Sequence, residues 1–202
     1  MTSGVPAFEV RGVEDVNEMH LQFLASPEWA QMLETDLLPW VLEVADLGDD
    51  VLEVGPGPGL TTDLLRTRTA RLTAVEVDAQ LATALAARLS GTNVNVVQAD
   101  ATKSGLEPNR FSAATCFSML HHMPAPELQD QLFAELHRVL RPSGALVAAD
   151  SVDAEAIRQF HVDDVFVPVP PDTLGDRLEA AGFTHIDIDV GDYQMRFHAT
   201  KP

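Results

Sequence analysis

The chain of 202 residues is short of basic side chains, of cysteine and of long apolar runs. Thirteen Lys and Arg stand against 31 Asp and Glu, a formal net charge of −18. A surface this acidic repels phosphate backbones and anionic lipid, so neither a nucleic acid nor a membrane is the expected partner. One cysteine, Cys116, excludes an intramolecular disulfide framework and a thiolate zinc cluster. It reads as a buried apolar filler in a strand. No apolar run reaches the roughly 18 residues that suggest a membrane-spanning helix. The opening MTSGVPAFEVRGVEDV has no basic patch ahead of an apolar stretch, so no signal peptide is expected and a cytoplasmic setting is the default.

What is present is ordinary: 46% apolar residues, in a chain long enough to bury a sizeable core as one domain. The charge is uneven. Residues 1–50 hold 11 acids and one base (Arg11), residues 51–150 hold 10 acids and 8 bases, and residues 151–202 hold 10 acids and 4 bases. The two ends are therefore acidic and the middle nearly neutral.

Ser26-Pro27-Glu28 signals a helix start, with Ser as cap, Pro at the first helical position and an acid in the first turn. Met32, Leu33, Leu37, Trp40, Val41 and Val44 then recur at helical spacing over residues 29–45, and residues 17–24 are expected as a shorter helix. From residue 50 the period changes. Short apolar runs at 51–54, 72–77, 94–97, 111–117 and 145–149 read as strands. Between and after them, 60–68, 79–89, 126–140 and 173–181 read as helices. Residues 185–190 and 193–199 form a closing hairpin around Gly191-Asp192. Strands alternating with helices predict a doubly wound α/β, Rossmann-like sheet of seven strands, mostly parallel, with an antiparallel C-terminal edge hairpin. The domain reading is one unit over 1–202: a helical cap at 1–48 and a core at 49–202 with a short insert at 151–170. Such sheets bind ligands outside the carboxyl ends of their strands, so the chemistry is sought in the turns that follow them.

The strongest motif is Val51-Leu52-Glu53-Val54-Gly55-Pro56-Gly57-Pro58-Gly59-Leu60, a strand, a glycine-rich turn and a helix. The glycines allow a sharp turn and close approach of a ligand to the backbone. The dinucleotide fingerprint wants a third glycine where Leu60 stands, and the Lys-Ser/Thr of a triphosphate-binding loop is missing. Instead Glu53 precedes the turn, which would repel a pyrophosphate and suits a ligand with a cation there. Glu76 ends the second strand, where an acid can accept from both hydroxyls of a ribose, while Asp78 is placed as a helix cap. Asp100 follows the third strand, where it can accept from an adenine amine. Three acids thus follow three successive strands.

The pattern Glu53-x-Gly55-x-Gly57-x-Gly59, Glu76 and Asp100-Ala101, joined by Leu120-His121-His122, Arg138-Val139-Leu140-Arg141-Pro142-Ser143-Gly144 and Leu178-Glu179-Ala180-Ala181-Gly182-Phe183, resembles the class I S-adenosylmethionine-dependent methyltransferases of the type 11, small-molecule branch. The resemblance covers about residues 50–200. It departs at Ser143, where a second glycine is usual. It implies that Gly55, Gly57 and Gly59 cradle the methionine part of the cofactor and that Glu53 holds its ammonium. It further implies that Glu76 binds the ribose diol, that Val77 and Ala101 flank adenine, that Asp100 binds its amine, and that Phe117 and Ser118 lie beside the reactive methyl. The activity implied is in-line methyl transfer to a small-molecule O, N or C acceptor. Phe117-Ser118-Met119-Leu120 lacks the Asn/Asp-Pro-Pro-aromatic run of nucleic-acid amino methyltransferases.

On the acceptor side, His121 is the candidate base, weighed against a plain anchoring role for the His121-His122 pair. His20, Phe23 and His161 are the candidate substrate-lining residues. His161 with Asp163 and Asp164 also raises a divalent metal, but a solvated acidic loop is the expectation and no metal is assigned. His137, His185 and His198 read as structural or surface, and Trp29 and Trp40 as packing for the N-terminal helix. The acidic flanks point to a neutral or cationic acceptor. A cofactor-binding regulatory module without turnover and a protein or peptide methyltransferase remain as alternatives. Oligomeric state stays open, with edge strands or N-terminal helices as the route to a homodimer.

Overall fold

A computed structural model describes residues 22–202. Seven strands form one sheet in the order β3-β2-β1-β4-β5-β7-β6. They are β1 (Asp50–Val54), β2 (Arg71–Glu76), β3 (Val94–Gln98), β4 (Phe111–Phe117), β5 (Leu140–Ser151), β6 (Thr184–Val190) and β7 (Gln194–Thr200). The first five run parallel; β7 is antiparallel to β5, and β6 antiparallel to β7. The C-terminal hairpin therefore closes one edge as the sequence predicts. Every residue of β1 and β4 is buried, which is why these central strands read as unbroken apolar runs.

Successive residues of the central strands face opposite layers. Val51, Ala113 and Val147 pack with Leu33, Leu37, Val41 and Leu65, while Leu52, Ala114 and Ala148 pack with Leu132, Phe133, Leu136, Leu174 and Leu178. The first layer is built from α1 (Pro27–Met32), a π turn (Leu33–Leu37), α2 (Leu38–Val44), α3 (Leu60–Leu65) and α4 (Ala79–Arg88). The second holds α5 (Pro126–Val139) and α7 (Pro171–Ala180). The caps follow the sequence signals: the Ser26 hydroxyl accepts from the Trp29 N–H at 3.1 Å, and Asp78 Oδ1 accepts from the N–H groups of Gln80 and Leu81 at 2.8 Å. Trp29 and Trp40 pack against the first layer, and Cys116 is buried.

Four expectations are corrected. The long N-terminal helix carries a π turn at its centre, between α1 and α2. The helix expected over 60–68 ends at Leu65. Strand five begins at Leu140 rather than 145: Leu140 pairs with Phe111, and the Pro142-Ser143-Gly144 turn signal is absorbed as an irregularity with Ser143 at φ +64°. The insert contains a helix, α6 (Glu155–Phe160), which buries none of its residues and so gives no apolar period to read. The expected helix over 17–24 lies mostly outside the described residues. No helix among the described residues is long and apolar enough to cross a membrane.

Candidate active site

β1 is flanked by β2 on one side and β4 on the other, so its carboxyl end lies at the point where the chain switches direction across the sheet. The glycine turn sits there. Gly55, Gly57 and Gly59 all adopt left-handed backbone, at φ +66°, +52° and +87°. A Cβ at Gly59 would come within 2.4 Å of Leu85 and 2.5 Å of Arg88, and one at Gly55 within 3.0 Å of Met119. At Gly57 it would meet nothing within 4 Å. Gly59 is therefore glycine for packing, whereas Gly57 borders open space, as a ligand cradle should. Leu24, Trp29, Phe117 and Ser118 wall the same cleft. Ser118 follows β4 with a strained φ of +52° and donates its N–H to the Ala149 carbonyl at 2.8 Å.

The acids around this turn are buried. Glu53 is 2% exposed, and burial pushes its carboxyl up to about 8; the nearby Thr62 hydroxyl works against this, and the Asp63 and Glu76 charges work with it. Its Oε2 has no hydrogen-bond partner among the described residues. A buried, orphaned carboxylate oxygen beneath a glycine turn fits a cationic group arriving from the cleft. Glu76 Oε2 accepts from the Gly57 N–H at 3.1 Å and Oε1 from the Asp78 N–H at 3.0 Å. Burial raises this carboxyl too, and those two N–H groups partly offset it. Glu76 thus ties the end of β2 to the glycine turn. Val77 is exposed beside it, a large apolar side chain at a strand end, as a residue flanking a purine face must be. Asp100 Oδ1 accepts from the Thr102 N–H and hydroxyl at 2.9 and 2.8 Å, capping a short 3-10 turn (Ala101–Lys103). Its other oxygen is the one on offer to a ligand. The residues present therefore fit S-adenosylmethionine.

Beyond β4 a second 3-10 turn (Leu120–His122) carries the histidine pair. His121 is 1% exposed and its Nδ1 faces the buried Asp150 carboxylate, whose second oxygen takes the His121 N–H at 3.1 Å. Gln129 donates to the carbonyls of Leu120 and Val167, at 3.1 and 2.8 Å, and so fastens this turn to the insert. His161 is not in a solvated loop. It is 6% exposed, its Nε2 lies 3.1 Å from that of His121, and its ring stacks on Phe166 at 4.5 Å between centroids. Burial pushes its imidazole below the usual range. Asp163 stays exposed, while the Asp164 side chain is covered and lies 3.5 Å from His122. Phe23 packs on Trp29 and on Phe160, 5.4 and 5.7 Å between centroids, which links the cleft wall to the histidine cluster. His20 lies outside the described residues. Asp150 was missed from sequence, although the signal was there: an acid directly after the apolar run of strand five, as at 53, 76 and 100.

The type 11 "Methyltransferase domain" family model matches residues 52–148. A ubiquinone biosynthesis O-methyltransferase of Pseudomonas fluorescens (strain Pf0-1) is 34% identical over 169 residues, 74% of this chain and 71% of its own. Its counterpart in Pseudomonas syringae pv. tomato is 35% identical over 109 residues, 52% of this chain and 46% of its own. The chain thus spans about half the length of most of the curated relatives it matches. A SAM-dependent methyltransferase structure from Aquifex aeolicus superposes with a TM-score of 0.70 at 22% identity, over 90% of this chain and 97% of that one. With the glycine cradle, the buried acids and this kinship together, the chain belongs to the type 11 family of class I S-adenosylmethionine-dependent methyltransferases.

Proposed function

We propose that the protein transfers the methyl group of S-adenosylmethionine to an oxygen of a small, neutral or cationic acceptor. The observation that carries the reading is the convergence of the open Gly57 cradle, the buried Glu53 carboxyl with an oxygen left without a hydrogen bond, and Glu76 tied to the same turn. Glu53 holds the ammonium of the cofactor, Glu76 its ribose hydroxyls, Val77 and Ala101 its purine faces, and Asp100 the purine amine. The bound cofactor supplies a methyl group already activated on a sulfonium. What the chain must supply is alignment of the acceptor in line with that bond, at about 3–3.5 Å, and exclusion of water. Leu24, Trp29 and Phe117 provide the dry wall, and Ser118 holds the turn after β4 in place. A hydroxyl acceptor must also lose its proton. His121 is our candidate for that step: Asp150 holds the Nδ1 side of its ring, and its Nε2 lies 3.1 Å from that of His161. The O-methyltransferase relatives support oxygen as the acceptor atom, and the acidic flanks support an acceptor without negative charge.

The test is a panel of phenolic, alcoholic, amine and carboxylate acceptors, read by release of S-adenosylhomocysteine and by product mass. Turnover confined to uncharged or cationic hydroxyl compounds is expected. Turnover only with strongly anionic acceptors, or only on nitrogen, contradicts the reading.

A further inference from the structure

Three imidazoles from two parts of the chain meet in one cluster. His121 and His122 come from the turn after β4 and His161 from the end of α6, and one ring nitrogen from each lies within 4.8 Å of the others. The outer nitrogens of two of them are fixed. His161 Nδ1 lies 2.7 Å from the Ile157 carbonyl, which can only accept, so Nδ1 carries the proton and Nε2 presents a lone pair. His121 Nδ1 donates to the Asp150 carboxylate, and its Nε2 likewise points inward. The two Nε2 atoms then stand 3.1 Å apart. Two lone pairs repel at that separation, so a positive species belongs between them: a second proton or a metal ion.

The surroundings favour the ion. Two nitrogens bound to one ion at about 2.0–2.1 Å are themselves roughly 3.0–3.4 Å apart. Metal-binding imidazoles characteristically donate their outer N–H to a carboxylate or a backbone carbonyl, and here one does each. A shared proton needs two imidazoles, whereas an ion uses the third, His122, and the Asp164 carboxylate 3.5 Å from its Nδ1. Three imidazole nitrogens select zinc, cobalt or nickel rather than magnesium or calcium, which take oxygen ligands.

We infer that His121, His122 and His161 bind one divalent transition-metal ion of the zinc class, at a site joined to the cleft wall through Phe160, Phe23 and Trp29, with Asp164 as a further ligand. Binding of the ion stands independently of methyl transfer; its use rests on that reading. Three protein nitrogens leave a fourth position, which Asp164 holds at rest and an acceptor hydroxyl takes in its place, where it ionises more readily. The O–H bond breaks with the proton passing to solvent water. The oxygen's electron pair forms the O–CH₃ bond, and the pair of the breaking S–CH₃ bond returns to sulfur. With the ion bound, its charge promotes the loss of the acceptor proton, and the candidate role of His121 changes from base to ligand.

The experiment titrates chelator-treated protein with Co²⁺ and separately with Zn²⁺, following visible absorption for the first and competition calorimetry for the second. One equivalent of Co²⁺ with the absorption of a nitrogen-rich, low-coordinate site, displaced by Zn²⁺, is expected. His161→Ala and the half-buried His122→Gln should each weaken it about 100-fold or more while S-adenosylmethionine affinity and circular dichroism hold. Absence of stoichiometric binding overturns the site, as does binding that survives both substitutions. Methyl transfer that persists in metal-free protein would remove the ion's catalytic use without touching its binding. Loss of S-adenosylmethionine binding would sink the methyltransferase reading while leaving the metal titration intact.

Discussion

Glu53→Gln separates two consequences of one buried carboxyl. In the folded protein the group is raised from 4.5 to about 8, chiefly by burial. At about 1.4 kcal/mol per pH unit that displacement amounts to at most roughly 4–5 kcal/mol. Between the unfolded value and about 8 the folded state keeps a proton that the unfolded chain has released, so stability falls as pH rises through this window and the loss is complete above it. Glutamine stays neutral throughout. The variant should therefore match the parent near pH 5 and exceed it by several degrees in Tm at pH 8. Binding should move the other way. A carboxylate paired with the cofactor ammonium must be ionised, so parent affinity should rise by up to about tenfold per pH unit from pH 6, reach a maximum near pH 8 and fall above it as an α-amino group of ordinary pKa loses its own proton. Glu53→Gln should weaken S-adenosylmethionine by about 1.5–3 kcal/mol at pH 8 and flatten the acid limb, leaving only the smaller contribution of Glu76. Thermal melts at pH 5 and pH 8, with and without cofactor, and calorimetry across pH 6–8 check both arms. A variant less stable at pH 8 with unchanged affinity would show that Glu53 serves the fold rather than the ligand.

Other substitutions probe the remaining parts. Gly57→Ala meets open space, so it should cost only about 1–2 kcal/mol of left-handed backbone strain yet weaken cofactor binding markedly, whereas Gly59→Ala, blocked by Leu85 and Arg88, should lose more stability in chemical denaturation. Glu76→Ala should weaken S-adenosylmethionine by about 1–3 kcal/mol, and an unchanged affinity with the fold intact would put the ribose assignment at fault. Asp150→Asn should lower turnover about 100-fold or more through its hold on His121 while cofactor affinity stays the same; equal losses in both would point to a general structural role.

The neighbourhood of the glycine turn was legible because each of its residues lies at or next to a strand end that local pattern marks. Glu53 and Glu76 sit at the carboxyl ends of β1 and β2, Asp100 follows β3, and the glycines announce the turn between β1 and α3. The histidine cluster was not, because it is assembled across the chain. His161 meets His121 only when α6, a helix without a buried face, lays the insert against the turn after β4, and sequence spacing 40 residues apart carries no sign of that. Asp150 escaped although it obeys the strand-end rule, because strand five was read for its apolar run alone. The start of that strand was hidden by Pro142-Ser143-Gly144, which mimics a turn and is instead carried within the strand by the left-handed Ser143. The π turn at Leu33–Leu37 keeps the same apolar face toward the sheet as an α-helix and so leaves no mark in the pattern.

The most direct test of the account is calorimetric titration of the purified protein with S-adenosylmethionine, S-adenosylhomocysteine and NAD. Micromolar binding of both adenosyl compounds and none of NAD is the expected result, with Gly57→Ala weakening the first two together. Binding of NAD, or of neither adenosyl compound, would contradict the assignment of Glu53, Glu76 and the glycine turn to this cofactor.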